Sequence, residues 1–346
     1  MAEKVTLQDV ADRAGVHRST VSLALRDHPR ISPEVRKSVQ AIAHELGYRV
    51  NPLVAALMQS RRSGSATKDV VLAFVTSYPT RDGWQPIRHD RPDFFPGAEA
   101  RARDFGYRLE PFWCKEPGLT PRRFCDILAN RGITGMIIGR LPPGQYTLEL
   151  EWGRFSTVAL GMTLREPRLH HVTENHFSTV AQAMRCCLER GYRRVGFVFS
   201  EANDSPRVGD RWLGAYLRNQ LSFPARDRLA VCPGDPADAA TFAAWFRRVR
   251  PDAILATHHR PVFAWLKDMA VRVPQDVGII DLENGPDSPC AGVHYDPAKV
   301  GALAVEMLVG LMHRNETGVP ADPHEVLLTG QWRDGSTLPP RIQTAP

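Results

Sequence analysis

The stretch Val5-Thr-Leu-Gln-Asp-Val-Ala-Asp-Arg-Ala-Gly-Val-His-Arg-Ser-Thr-Val-Ser-Leu-Ala-Leu-Arg-Asp27 decides how the rest of the chain is read. Thr6 is placed to cap a helix, and Asp9 stands three residues on, where a capping box puts its acid. Leu7, Val10, Ala11 and Ala14 then fall at i, i+3, i+4 and i+7. This spacing predicts one short amphipathic helix. Gly15 can adopt the left-handed conformation that ends it, and after Val16 a second helix follows in which Val21 and Leu25 face the first. Two helices joined by about three or four residues including Gly make the connection of a DNA-binding helix-turn-helix, whose second helix is the reader. Any two consecutive amphipathic helices share this pattern, so a generic helical bundle is the competing reading.

Further on, Ser32 is an N-cap, Pro33 sits at N1 and Glu34 lies in the positive first turn. Val35, Val39, Ile42 and Leu46 form a stripe that stops at Gly47. Three short helices sharing one small core fit this part of the chain. Beyond Tyr48 comes Asn51-Pro-Leu-Val-Ala-Ala-Leu-Met-Gln-Ser-Arg-Arg62, with Asn51 as cap, Pro52 at N1 and hardly any polar side chain before Gln59. A helix of about eight or nine residues is shorter than the roughly 12 to 15 needed for marginal stability alone. It should therefore form against a partner, and duplex DNA is the natural candidate. Charge placement agrees. Residues 1–63 hold 10 Lys and Arg against 6 Asp and Glu, so +4 of the net +6 lies at this end, where a polyanion is drawn first.

Thr6 to Arg26, Ser32 to Tyr48 and Asn51 to Leu57, in that order, resemble the headpiece and hinge of the lactose-repressor (LacI/GalR) family of bacterial transcription regulators. The resemblance implies roles for individual residues. Arg18 and Ser19 open the reader helix, with Leu23 one turn on, and would set the operator sequence; Arg against guanine O6 and N7 is the commonest specific contact. Thr6, Thr20, Ser22 and Asn51 can donate to phosphates, which fixes register without reading sequence. His17 departs from the small hydroxyl residue usual at its cap position. Leu57 aligns with the leucine that wedges between base pairs in the minor groove, and Leu53 and Val54 supply apolar contacts for a paired hinge helix.

Ser63-Gly-Ser-Ala-Thr67 reads as a flexible joint. After it the pattern alternates: a buried-strand run over 69–76, a helix over 97–105, a strand over 107–112, a helix over 121–130 and a strand over 135–139. A second series begins near residue 172, with helices over 178–190, 211–220, 238–249 and 262–271. Its strands are expected over 194–199, near 229–232, over 253–257 and over 277–281; a helix over 297–313 then returns to the first lobe. This order argues for two doubly wound parallel-sheet lobes with a ligand cleft between them. The phrases Leu188-Glu-Arg-Gly-Tyr-Arg-Arg-Val-Gly-Phe197, Arg211-Trp-Leu-Gly-Ala-Tyr216 and Arg272-Val-Pro-Gln-Asp-Val-Gly-Ile-Ile280 are similar to the core of the same family, itself related to periplasmic sugar-binding proteins. Leu328-Thr-Gly-Gln-Trp-Arg-Asp-Gly-Ser-Thr337 looks like its closing strand and tail.

The expected fold class is α/β. A helix-turn-helix headpiece spans 1–50, a hinge helix and linker 51–63, and a two-lobed periplasmic-binding-protein-like core 64–346. The amino-terminal lobe covers about 68–166 plus 294–327, and the carboxy-terminal lobe about 167–293 plus 328–346. By resemblance Arg211 grips ligand hydroxyls or a carboxylate, and surface ion pairing is the alternative. His258, Arg260 and Glu283 occupy lining positions with altered chemistry, since Thr257-His-His and Asp281-Leu-Glu-Asn284 replace the family's usual turns. The extra basic groups suit an acidic sugar or phosphorylated metabolite.

Composition fits a globular protein, with 43% hydrophobic and 24% charged residues. No apolar run approaches a membrane span and no export signal opens the chain, so a cytoplasmic protein is expected. The six cysteines show no C-x-x-C spacing and read as reduced and mostly buried. No cofactor or metal is expected. The reading is thus a homodimeric or higher regulator, repressing by family default, that binds a pseudo-palindromic double-stranded operator and answers to a small, sugar-like effector. A soluble sugar-binding protein would explain the core but not the first 60 or so residues. An enzyme using His258, His259 and Glu283 lacks a phosphate loop, a G-x-S-x-G elbow or metal-ligand spacing.

Overall fold

In the computed structural model the described residues are 7–25, 31–46, 70–85, 93–199, 205–233, 238–285 and 288–341. Thr6, Asn51, Leu53, Val54 and Leu57 lie outside them. The chain divides into an amino-terminal unit and a larger core unit.

The amino-terminal unit contains α1 (Leu7–Ala14), α2 (Arg18–Ala24) and α3 (Pro33–Glu45). Gly15 is left-handed at φ +63°, and the Val16 amide returns to the Ala11 carbonyl at 3.1 Å, so α1 ends as its sequence indicates. At α2 the cap is His17, whose Nδ1 accepts from the Ser19 amide at 3.3 Å. An imidazole nitrogen thus replaces the hydroxyl oxygen usual at an N-cap. Ser32 caps α3 through the Val35 amide at 3.4 Å. Val10, Ala11, Val21, Ala24, Val39 and Ala43 are buried together, and Leu25, Val35, Ile42 and Leu46 pack around them. Gln40 of α3 donates from Nε2 to the Ala24 carbonyl at 3.3 Å, satisfying the end of α2.

The core begins with β1 (Val70–Thr76), α4 (Phe95–Asp104), β2 (Tyr107–Trp113), α5 (Pro121–Asn130), β3 (Gly135–Ile138), β4 (Ser156–Leu160) and β5 (His170–Glu174). It continues with α6 (His176–Glu189), β6 (Val195–Val198), α7 (Ser205–Val208), α8 (Arg211–Gln220), α9 (Ala239–Val249), β7 (Ala253–Ala256), α10 (His259–Asp268), β8 (Gly278–Asp281) and β9 (Ala291–His294). The closing elements are α11 (Pro297–Arg314), β10 (Glu325–Leu328) and β11 (Gln331–Arg333). The first sheet runs β10-β5-β4-β3-β1-β2 and is wholly parallel. The second runs β11-β9-β8-β7-β6, parallel except for β11.

The central strands β1, β3, β4, β6, β7 and β8 are close to continuously apolar and buried, as a sheet covered on both faces requires. In the second lobe α6 and α8 pack with Phe197, Leu255 and Ile280 on one face, while α9 and α10 pack with Ile254 and Ile279 on the other. In the first lobe α4 and α11 approach so closely that a Cβ on Gly97 would stand 1.9 Å from the Ala298 carbonyl oxygen. The chain crosses between sheets three times: from β5 into α6, from β9 into α11, and from β10 into β11.

Two expectations are corrected. The first sheet extends through β5 to Glu174, past the lobe boundary expected at 166. Residues 229–232 form no strand; one backbone bond, from the Cys232 amide to the Phe197 carbonyl at 3.0 Å, ties them to β6. All six cysteines are unpaired, and all but Cys114 are buried.

Candidate functional site

Two sites come forward from this frame, one in each unit. On α2, Val21 and Ala24 turn into the core, which leaves His17, Arg18 and Ser19 exposed in the first turn and Thr20, Ser22 and Leu23 half-buried beside them. Ser19 Oγ stands 2.8 Å from His17 Nδ1. The arrangement presents a guanidinium and a hydroxyl from a rigid, capped helix start, the chemistry that reads base edges in a major groove.

The core site lies where the carboxyl ends of both sheets converge, the usual ligand position of open α/β sheets. From the first lobe come Tyr78 after β1 and Arg140 after β3; from the second come Arg207 on α7 and Glu283 after β8. Burial opposes the charge on Arg140, but Glu283 and Glu174 outweigh it and hold its pKa above the ordinary value. For Arg207, burial and then the neighbouring Arg140 push the pKa down. Arg207 Nη2 crosses between lobes to the Leu141 carbonyl at 3.1 Å. Beside Arg140, Phe74, Trp84 and Phe95 form a recess in which each pair of rings lies 5.1 or 5.2 Å apart between centroids, with Asp93 on its edge.

Behind the arginines sits a buried polar group on two of the three crossing segments. Glu174 Oε1 is 2.9 Å from His176 Nε2, and both side chains are almost entirely enclosed. Burial raises the Glu174 pKa less than His176 and Arg140 lower it, so the carboxylate is held below its usual range. Tyr295, just past β9, lies beside Glu174 without the geometry of a hydrogen bond; burial, then Glu174 and Glu283, push its phenol far up.

Of the four effector residues read from sequence, Glu283 alone is placed against Arg140. His258 is half-buried at the N-cap of α10. Arg260 is exposed. Arg211 forms an ion pair at 2.8 Å with Glu325 of β10, joining the second lobe to the first sheet. Sequence reasoning passed over Arg140, Arg207, Glu174, His176 and Tyr295, and it considered His259 only as an enzyme's acid-base group. His259 Nδ1 stands 3.0 Å from Asp281, a carboxylate that is 2% exposed. The signal available for Arg140 was its place directly after a buried strand. Among the described residues no group of three or more His, Cys, Asp or Glu could hold a metal ion, and no helix is long and apolar enough to cross a membrane.

Comparison with known proteins matches both units. Residues 6–51 match the bacterial regulatory proteins of the lacI family, and residues 184–338 match the periplasmic binding protein-like domain. The chain is 23% identical to the HTH-type transcriptional repressor CytR of Escherichia coli over 90% of this chain and 91% of that protein. It is 23% identical to the NTD biosynthesis operon regulator NtdR of Bacillus subtilis, over 81% of this chain and 82% of that one. Among solved structures, the complex of the transcriptional regulator CelR with cellobiose has the same fold at a TM-score of 0.54 and 18% identity, covering 96% of this chain and 100% of that one. The lac repressor dimer bound to operator and the anti-inducer ONPF has it at 0.54 and 18%, covering 97% and 100%. With the regulatory headpiece and the periplasmic-binding-protein-like core matched in order along one chain, the protein belongs to the LacI family of bacterial regulatory proteins.

Proposed function

We propose that this protein is a cytoplasmic repressor that binds a pseudo-palindromic operator as a homodimer and is controlled by a small, sugar-like effector held between its core lobes. The observation that carries the reading is the exposed first turn of α2, in which His17, Arg18 and Ser19 stand clear over a buried Val21 and Ala24. Arg18 reads a guanine in each half-site, assisted by Ser19 and Leu23, while His17, Thr20, Ser22, Thr6 and Asn51 hold the backbone. Leu53 and Val54 pair the two hinges, and Leu57 wedges the minor groove, bending the duplex. A twofold dimer meets DNA of the same symmetry, which is why the operator repeats.

The effector half of the proposal is supported by the core site. Phe74, Trp84 and Phe95, tilted against one another, offer an apolar recess for a sugar ring, and Asp93 and Glu283 offer acceptors for its hydroxyls. No catalytic role is assigned to any of them. Selection of bound duplexes from a random pool tests the reading: Arg18→Ala should lose discrimination at one position of each half-site, worth about 1 to 3 kcal/mol. An unchanged binding-site logo would overturn the reader assignment.

A further inference from the structure

Arg140 and Arg207 face one another across the cleft, one from each lobe, close enough for Arg140 to act on Arg207. Burial, Arg140 and phenol groups, rather than a carboxylate, are the largest influences on Arg207. Glu283 and Glu174 act on Arg140 through space, but Glu174 already has His176 at 2.9 Å. Arg207 Nη1 is buried with no hydrogen-bond partner, although Nη2 of the same group is satisfied by the Leu141 carbonyl. A buried guanidinium N–H left unmade costs more than a neutral one, and a second cation beside it adds repulsion. Glu283 and Glu174 support the charge on Arg140, whereas Arg207 has Tyr78, as a hydrogen-bond partner, and Tyr146 beside it, so phenol groups stand where the second guanidinium has no acid of its own among its largest influences. An anion with two or more oxygens fits planar guanidinium forks from both sides.

We propose that the effector is acidic, a small metabolite whose carboxylate or phosphate sits between Arg140 and Arg207. The proposal rests on the cleft being the effector site. The anion joins a residue of the first lobe to one of the second and offsets the repulsion between them, so its binding favours the closed arrangement of the lobes. Because the aromatic recess adjoins Arg140, the remainder of the molecule lies against Phe74, Trp84 and Phe95.

The test uses the full chain at constant ionic strength, titrated with inorganic phosphate, with acetate, and with the neutral sugars glucose and ribose, each read as a saturable shift in thermal unfolding. Phosphate or acetate should saturate in wild type, and R140Q and R207Q should each weaken that binding by about tenfold or more. R207K, which keeps the charge but not the fork, should fall between. Saturation by phosphate alone assigns a phosphorylated effector, and saturation by acetate assigns a carboxylate. Far-ultraviolet circular dichroism identical to wild type shows that the variants fold, and R140Q carries the test if R207Q does not. Absence of saturable anion binding, or binding equal in wild type and both variants, overturns the proposal. If glucose or ribose then saturates wild type and fails with W84A, the cleft remains the effector site and only its acidity is wrong. If no probe responds to any cleft variant, the effector-site reading falls as well.

Discussion

Val21→Ala separates the headpiece's fold from its chemistry. Val21 is 0% exposed and packs with Val10, Ala11, Ala24, Val39 and Ala43, a core of small side chains with little capacity to collapse around a hole. Removing two methyl groups forfeits roughly 1.6 kcal/mol at about 0.8 kcal/mol per carbon, and the cavity term brings the loss to about 2 kcal/mol. At about 0.05 to 0.15 kcal/mol per residue, a unit of some forty residues has roughly 2 to 6 kcal/mol in all. The substitution therefore removes a third or more of it. In the full chain, hydrogen exchange by mass spectrometry should show protection of α1 and α2 falling about thirtyfold, since each 1.4 kcal/mol is a factor of ten in the opening equilibrium. Peptides from β7 and β8 should keep their protection. Arg18→Ala, which touches only the exposed face, should leave α2 protection within about twofold of wild type. A loss below threefold for Val21→Ala, or one shared equally by β7, would refute the claim that this small cluster is what holds the reader helix.

Other consequences are open to direct measurement. Arg211→Ala should cost the core under about 1 kcal/mol in denaturant unfolding, because its pair with Glu325 is 26% and 41% exposed; a loss above about 2 kcal/mol would show that the pair is structural. Gly97→Ala should cost about 3 kcal/mol, the upper range for overpacking, since the new Cβ would meet backbone rather than a side chain that can move; an unchanged melting temperature would contradict the tight α4–α11 contact. His171 is held below its ordinary pKa of 6.5, by burial first, and the unfolded chain therefore binds more protons than the folded one as pH falls through that value. Core stability should decline over that window and His171→Asn should flatten the decline; identical slopes would reject the assignment.

The elements that sequence made legible are those whose signals are local. Thr120 and Pro121 start α5, whose bounds, Pro121–Asn130, coincide with the expected ones, and α8 also spans the expected 211–220. β5 was hidden because His170-His-Val-Thr-Glu174 is polar on inspection, although all five residues are buried. The apolar run at 229–232 looks like a strand but finds one backbone partner, and pairing is a property of the neighbour. Of His258 and His259, the second turns to Asp281, a choice made by the start of α10 that no spacing rule reports. Glu174 and Tyr295 are neighbours only because two crossings run side by side, so their meeting with Arg140 could not be read along the chain.

The same contacts set what the proposed effector would have to supply. Side-chain bonds away from the crossing segments that bridge the lobes include Arg211 to Glu325, partly exposed and so worth about 1 kcal/mol or less, and Arg207 to the Leu141 carbonyl, about 1.5 to 3 kcal/mol as a charged hydrogen bond before the cost of the neighbouring Arg140 is deducted. A ligand shifts an equilibrium only by its difference in affinity for the two states, and moving a population from 1:99 to 99:1 takes about 5.5 kcal/mol. An anion that contacts both arginines when the lobes are together, and one when they are apart, gains on closure a charged hydrogen bond or two and relief of the repulsion. That difference is of the required order, whereas stacking on Trp84, which belongs to the first lobe alone, is the same in either state and by itself shifts little. If the proposed effector binds in the cleft, its control would depend more on groups that span the cleft than on how tightly the aromatic recess holds a ring.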